Sequence, residues 1–342
     1  MQDYRKIQAI SQSSLKDWEK KLPLVWKNIW FEGKKDEEKD ENVYFFGTLV
    51  DNLCFNNKNI KHLYHVSDVN LPSGTTFNIL NLFIQKIKNH NITLEESKSI
   101  LPIEEEYRNY KLADNEDFIE EILSDIDWYS NWSMEKKINN IISNQDAVDF
   151  LLASNDKIVI NKKEMELGEE LRNNLYSNPY TYSYFVATKG IELIFQQEIV
   201  IEIDSILRKC AIDIIKIDHN NRTVEIIDLK TCRNVSIFEE DAKLYNYPGQ
   251  LTFYKEMLHF WRLSPEFKEK WKEYEIKGLY NIAIDRIYKI PLIYSYSQKT
   301  LQLSTEKWEK NLKEIAWHFE NNFWDAPMEI KLKGKIELNF NL

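Results

Sequence analysis

Three apolar, β-branched runs that follow one another through short turns, each carrying a carboxylate, constrain this chain more than any other feature. From Glu198 the sequence reads EIVIEIDSILRKCAIDIIKIDHNNRTVEIIDLKTC. Glu198 lies in the first run, Asp213 in the second and Asp228 in the third, with Lys230 two residues beyond Asp228. Side chains alternate between the faces of a strand, so Asp228 and Lys230 project side by side from one face. The turn His219-Asn220-Asn221 joins the second run to the third and makes them neighbours. After a polar connection comes YNYPGQLTFYKEML, a helix that Pro248 opens at its first position. Gln250 and Tyr254 share a face of that helix, with Tyr247 one turn earlier.

A carboxylate or an ammonium on a sheet face loses solvation that pairing or a metal must offset. A divalent cation answers that need. Asp213 and Asp228 are hard oxygen ligands suited to Mg2+ or Mn2+, and the carbonyl of Leu229 can supply a third oxygen. Lys230 then sits beside the attacking water, where an ammonium orients the nucleophile or offsets charge growing on a phosphate. An acid-x-Lys triplet recurs by chance in a chain this rich in Asp, Glu and Lys. Its weight here comes from position, at the end of a strand beside a second acid-bearing strand.

In that order, Glu198, Asp213, Asp228-Leu229-Lys230-Thr231 and Gln250-x-x-x-Tyr254 resemble the PD-(D/E)XK nuclease superfamily in its RecB-like branch. Within it the pattern is most similar to phage and prophage exonucleases of the exonuclease VIII (RecE) type. Two further stretches carry the resemblance. Ile10-Ser11-Gln12-Ser13-Ser14-Leu15-Lys16 resembles the group's N-terminal S-x-S-x-L helix start, and Gly47-Thr48-Leu49-Val50-Asp51-Asn52-Leu53 its G-x-x-x-H-x-x-L helix. The departure is Asp51, which stands where the family has histidine; Asp can still ligate Mg2+.

The resemblance implies an α/β fold, a central mixed sheet flanked by helices (a restriction-endonuclease-like core) with a helical insertion. It also implies Mg2+- or Mn2+-dependent hydrolysis of DNA phosphodiester bonds, with Glu198 and Asp51 completing the metal site. The face bearing Tyr247, Gln250 and Tyr254, together with Thr231, is implied to close the site and touch DNA. Exonuclease action on duplex ends in phage recombination, a single-strand annealing protein as partner and a ring-shaped homo-oligomer follow from the same likeness. Two alternatives stay open: an endonuclease of the same superfamily, and a catalytically silent nucleic-acid-binding protein that keeps the fold.

Composition bounds the rest. A chain of 342 residues with 43% hydrophobic content can bury a sizeable core. No run is long and apolar enough for a membrane span, and MQDYRKIQAISQ lacks the apolar stretch of a signal peptide, so the expected location is the cytoplasm, with no membrane partner. Cys54, Cys210 and Cys232 are odd in number and lack metal-ligand spacing, which argues against a disulfide framework and the four-cysteine cluster of some RecB-like nucleases. The net charge of -10 means that any DNA contact must draw on positive charge concentrated in a cleft.

Along the chain, Ser11 or Ser13 is expected to cap a helix with Leu15, Trp18, Leu22, Val25 and Trp26 inside, interrupted by Pro23. KKDEEKDEN, residues 34–42, reads as a solvated loop, and residues 44–55 as a helix with Phe46, Leu49, Val50 and Leu53 toward the core. Residues 62–66 alternate like a strand, which makes His62 and His65 edge residues rather than ligands; 77–87 and 134–152 have helical spacing, and 101–127 is acidic and mixed. Asn161 caps a helix over 162–176, 278–287 and 289–296 read as strands, and 305–323 as an amphipathic helix around Trp308, Leu312, Ile315, Ala316 and Phe319. The closing MEIKLKGKIELNF alternates like an edge strand or hairpin. The expected division is an N-terminal helical region with a variable insertion, 1–160, and a nuclease core, 161–342.

Overall fold

The structure is a computed structural model that describes residues 4–34, 45–67, 132–152, 154 and 157–335, and between them 69, 71–72, 76–77, 80–81, 83–85, 113 and 116–124. Most of the expected 34–42 loop, most of 101–127 and the last residues from 336 onward lie outside these. The chain forms two compact units, residues 1–55 with 168–342, and residues 56–167. The N-terminal helices fall in the same unit as the sheet, whereas the expected division set 1–160 against 161–342.

The first unit is α/β. Its five-stranded mixed sheet has the order β3 (Ile191–Ile203), β4 (Ile206–Asp218), β5 (Thr223–Cys232), β6 (Glu275–Asp285), β7 (Pro291–Tyr294). β3 and β4 form a hairpin closed by Asp204 and Ser205, both with positive φ (52° and 62°), the backbone that two-residue turns require. The next hairpin turns after Asp218, whose carboxylate accepts the N–H groups of Asn220 (2.9 Å) and Asn221 (3.0 Å). β5 and β6 are parallel, so the chain must cross over between them, and helices Phe238–Leu244 and Tyr247–Leu263 provide the crossover.

One face of the long crossover helix, Leu251, Phe253, Tyr254, Met257 and Leu258, packs on Ile199, Ile203, Cys210, Ile212, Ile215, Ile217, Val224 and Ile226 of the sheet. Trp308, Leu312 and Ile315 of the helix Gln298–Asn321 join the same core. That helix starts earlier than its apolar spacing indicated, because Ser297 caps it by accepting the Thr300 N–H (3.1 Å). The expected strand over 289–296 shortens to β7, and Lys289, with φ 58°, sits in the turn before it. The expected terminal strand is, where described, a helix at Met328–Lys333.

Ser11 and Ser14 cap each other's backbone N–H at the start of α1 (Gln12–Trp18). Pro23 does not interrupt one helix; it opens a second, α2 (Pro23–Trp30). Leu15, Trp18 and Trp26 are buried as expected, whereas Leu22 and Val25 are exposed. Trp26 is fully buried, donates its indole N–H to the Ser14 carbonyl (2.6 Å) and meets Trp18 edge-on at 5.2 Å. Trp26→Ala removes this payload and leaves a cavity, so a loss of about 3–5 kcal/mol in unfolding free energy is expected by denaturant titration.

The second unit pairs β1 (Tyr64–Ser67) in parallel with β2 (Ile158–Asn161) beside helices that include Ile60–Leu63, Glu116–Ser124, Met134–Ile142 and Gln145–Leu152. The expected helix over 134–152 is thus two, and His62 lies in a short helix while His65 packs its ring on Phe150 at 4.5 Å. The described residues between 76 and 85 are helical. Asn161 caps Lys162–Ser177 by accepting the Glu164 N–H (2.8 Å). No helix among the described residues is long and apolar enough to cross a membrane.

Candidate active site

The β4–β5 ladder runs from Asp218 opposite Thr223 to Ile214 opposite Ile227 and ends there. The next residue of each strand is an acid, Asp213 on β4 and Asp228 on β5. Beyond this point a side chain replaces the backbone as acceptor: Asp213 Oδ2 takes the N–H of Leu229 at 2.8 Å. Asp213 Oδ1 takes an N–H from Gln196 at 2.9 Å. Gln196 sits in β3 with φ 51°, a break in that strand opposite Asp213. The strands therefore open where the acids sit.

Asp228 is 1% exposed. Its Oδ2 takes two donors, the Lys230 ammonium at 2.6 Å and the Asn281 amide at 2.7 Å. Asn281 stands directly opposite Asp228 on β6, fully buried, and accepts the Tyr296 hydroxyl at 2.6 Å. Lys230 Nζ also lies 5.0 Å from the Tyr247 ring centroid, within cation–π range. On the same helix Gln250 donates to the Tyr254 hydroxyl at 2.6 Å, and Tyr254 itself is buried.

Asp51 reaches these charges from α3 (Phe45–Phe55), where Phe46, Leu49, Val50 and Leu53 are buried. The helix can approach β5 closely because Gly47 has no side chain: a Cβ there would lie 3.0 Å from Thr231 Oγ1. Gly47→Val is expected to cost about 1–3 kcal/mol through overpacking and to push Asp51 away from the sheet. Thermal melting of the variant measures the first effect.

Burial raises all three carboxylates, and neighbouring acids add to it at Asp213 and Asp51. Loss of solvation, then Asp228, pushes Asp213 up to about 7, against the pull of Lys230, the Leu229 N–H and Gln196. Burial raises Asp228 despite Lys230 and Asn281, and burial followed by Asp213 holds Asp51 well above the ordinary carboxylate range. For Lys230, burial alone favours the neutral amine, but Asp228 and Asp213 outweigh it and hold the ammonium. Burial and the same two acids raise the Tyr254 phenol. Three carboxylates thus crowd one ammonium, and without a further cation they hold protons that ordinary carboxylates release.

The donor chemistry fits a Mg2+-type ion. Asp213 and Asp228 come within hydrogen-bond reach of each other, and both are hard oxygen donors. Among the described residues no group of three or more His, Cys, Asp or Glu side chains converges as a cage for an ion. Mg2+ does not need one, since it is commonly held by one or two carboxylates and keeps several waters.

Of the residues singled out in the sequence, Asp51, Asp213, Asp228, Lys230 and Tyr247 come together, with Thr231 against Gly47 and Leu229 donating to Asp213. Glu198 stands apart. On β3 it pairs with Ala211 of β4, is exposed, and its charge acts on the Tyr4 hydroxyl. Gln196, Asn281 and Tyr296 were not singled out. The readable signal for Asn281 was a lone amide in the otherwise apolar run LYNIAI, since a buried Asn must be satisfied by something across the sheet. The signal for Gln196 is invisible in sequence, because it depends on a left-handed backbone.

No protein-family profile and no curated protein sequence matches the chain. Among solved structures it is similar to a crystal structure named "Putative exonuclease" from Eubacterium rectale, at 10% identity and a TM-score of 0.47, over 98% of this chain and 91% of that one. At that distance the likeness carries no functional argument, and the site's own geometry must carry it.

Proposed function

We propose that this protein is a Mg2+- or Mn2+-dependent deoxyribonuclease that hydrolyses phosphodiester bonds. The observation that carries the reading is the pair Asp213 and Asp228 at the opened end of two strands with the Lys230 ammonium 2.6 Å from Asp228. Asp213, Asp228 and the Leu229 carbonyl would hold the ion, with Asp51 contributing charge from nearby rather than a third carboxylate ligand; when bound, the ion would supply Lewis-acid polarisation of the phosphate and a more acidic water. Lys230, kept charged by its two acids, is placed to orient the nucleophile and offset charge developing on the phosphate. The Tyr247 ring, 5.0 Å from the ammonium, limits where it can point.

The resemblance in the motif order favours exonuclease action at duplex ends in phage-type recombination, in a bacterial or phage-infected cell, with an annealing protein as partner and a homo-oligomer as the working form. Linear and covalently closed circular DNA incubated with Mg2+, Mn2+ or EDTA tests this. Metal-dependent degradation of the linear form alone is expected. Cutting of circles would make it an endonuclease, and no turnover with either metal would leave a binding protein.

The overall charge adds a further expected result. At a net charge of -10, DNA affinity must come from local cations and the metal, so it should fall steeply between about 50 and 200 mM salt. Fluorescence anisotropy at several salt concentrations measures the slope.

A further inference from the structure

Asn281 is a polar residue in the middle of the sheet with no solvent to reward it. It is fully buried on β6, between β5 and β7, and Ile282, Ala283 and Ile284 follow it in the same strand, all fully buried. An amide there costs stability unless its groups are bonded. They are bonded in one direction only. The Tyr296 hydroxyl donates to Asn281 Oδ1 (2.6 Å), which leaves the NH2 end turned to Asp228, where it meets Oδ2 at 2.7 Å and the backbone carbonyl at 3.4 Å. Tyr296 follows β7, whose Tyr294 pairs with Asn281, so the fold itself delivers the hydroxyl to this place.

The consequence falls on Asp228. Lys230 and Asn281 reach the same oxygen from two sides, and two donors on one oxygen fix the rotation of a carboxylate that has a second oxygen to offer. We propose that Asn281, oriented by Tyr296, is a positioning residue: it holds Asp228 with Oδ2 committed to the protein and Oδ1 presented for a hard divalent cation. This rests on the function proposed above. It adds a chain of hydrogen bonds, Tyr296 to Asn281 to Asp228, whose outer members touch neither ion nor substrate. A packing role alone would be met by leucine or isoleucine, which the strand uses at Leu279, Ile282 and Ile284 and which need no partner. Outer partners of ligating carboxylates typically change metal affinity or activity by about 10–100-fold when removed.

The test uses the full chain and two variants. Tyr296→Phe deletes one hydroxyl and keeps the ring; Asn281→Leu removes the amide and keeps a branched side chain of the same number of heavy atoms, though a bulkier one. Three quantities are read for each: melting temperature in EDTA, Mn2+ affinity by calorimetric titration without DNA, and kcat and KM for linear DNA. Tyr296→Phe is expected to stay folded but to melt a few degrees below the parent protein, since the buried Asn281 Oδ1 loses its donor at a cost of about 1–3 kcal/mol, to bind Mn2+ about 3–10-fold more weakly, and to lose kcat with KM for DNA unchanged. Asn281→Leu is expected to weaken Mn2+ about 10–100-fold. Raising Mn2+ should recover part of the lost rate in Tyr296→Phe. If both variants, or Tyr296→Phe alone where Asn281→Leu does not fold, keep parental Mn2+ affinity and kcat, Asn281 is a packing residue and the inference is overturned. If the parent protein binds no Mn2+ and cleaves no DNA, the proposed function fails and takes the inference with it, so the two failures are told apart by the parent protein.

Discussion

Asp228→Asn is expected to lower metal-dependent DNA cleavage on the order of 10³-fold or more while the protein stays folded. The substitution keeps the shape of the side chain and its place opposite Asn281 but removes the charge that two different parts of the site use. A cation would lose one of its two strongest oxygen donors. Lys230 would lose the carboxylate 2.6 Å from it, the largest influence keeping the ammonium charged in a buried place. Stability has opposing terms. Breaking a buried pair costs several kcal/mol when a charge is left alone, yet Asp213 remains beside Lys230, and removing one of three crowded acids relieves their repulsion. The near-cancellation explains why activity should suffer far more than folding. Single-turnover cleavage at saturating Mg2+ reads the first quantity and denaturant unfolding in EDTA the second. Asp204→Asn, on a side chain 90% exposed in the β3–β4 turn, serves as the control that should change neither. Cleavage within a few-fold of the parent in Asp228→Asn would remove the acids from the mechanism.

The amino-acid pattern carried the centre of the fold further than its edges. The hairpin from Ile206 to Cys232 could be read because alternating β-branched residues and a turn of His219, Asn220 and Asn221 leave few other choices, and the acids could be placed on it by parity alone. Parity does not reach as far as Glu198. Its run alternates cleanly, but the left-handed residue at Gln196 interrupts the strand, and an amide, rather than that acid, faces Asp213. Boundaries failed where a cap outweighed the apolar period, as at Ser297, and where proline was read as an interruption instead of a first turn, as at Pro23. The terminal helix Met328–Lys333 shows the weakness of short alternation: six residues of MEIKLK fit a strand or a helix turn, and Gly334 with φ 69° closes it as a helix. Asp51 was legible as an oddity, an acid among buried neighbours, but its closeness to Lys230 needed Gly47 against Thr231, a contact between segments far apart in the chain.

The raised acids predict an unusual dependence of stability on pH. In the absence of divalent cations the protein should lose stability as pH rises from about 4 to about 7. Asp213 titrates near 7 when folded, against 3.8 for the ordinary side chain. Between those values the folded state holds a proton that the unfolded state has released, so the unfolding free energy falls with rising pH, the reverse of a salt-bridged aspartate. The full shift would correspond to about 4 kcal/mol, and since Asp213 keeps some solvent contact, roughly half of that is the safer figure. That amounts to a fall of several degrees in melting temperature for a unit of this size. Asp228 and Asp51 are raised as well and act in the same sense. Asp213→Asn can still accept the Leu229 N–H but cannot ionise, so its melting temperature should depend less on pH over this range than that of the parent. Mg2+ at a hundred times its dissociation constant should return about 2.7 kcal/mol to the parent near pH 8. It should return much less to Asp213→Asn. Melting curves at pH 5, 6, 7 and 8, in EDTA and in Mg2+, separate the two effects. Parallel curves for parent and variant in EDTA would show that Asp213 is ionised throughout, with Lys230 and the Leu229 N–H sufficient to hold its charge.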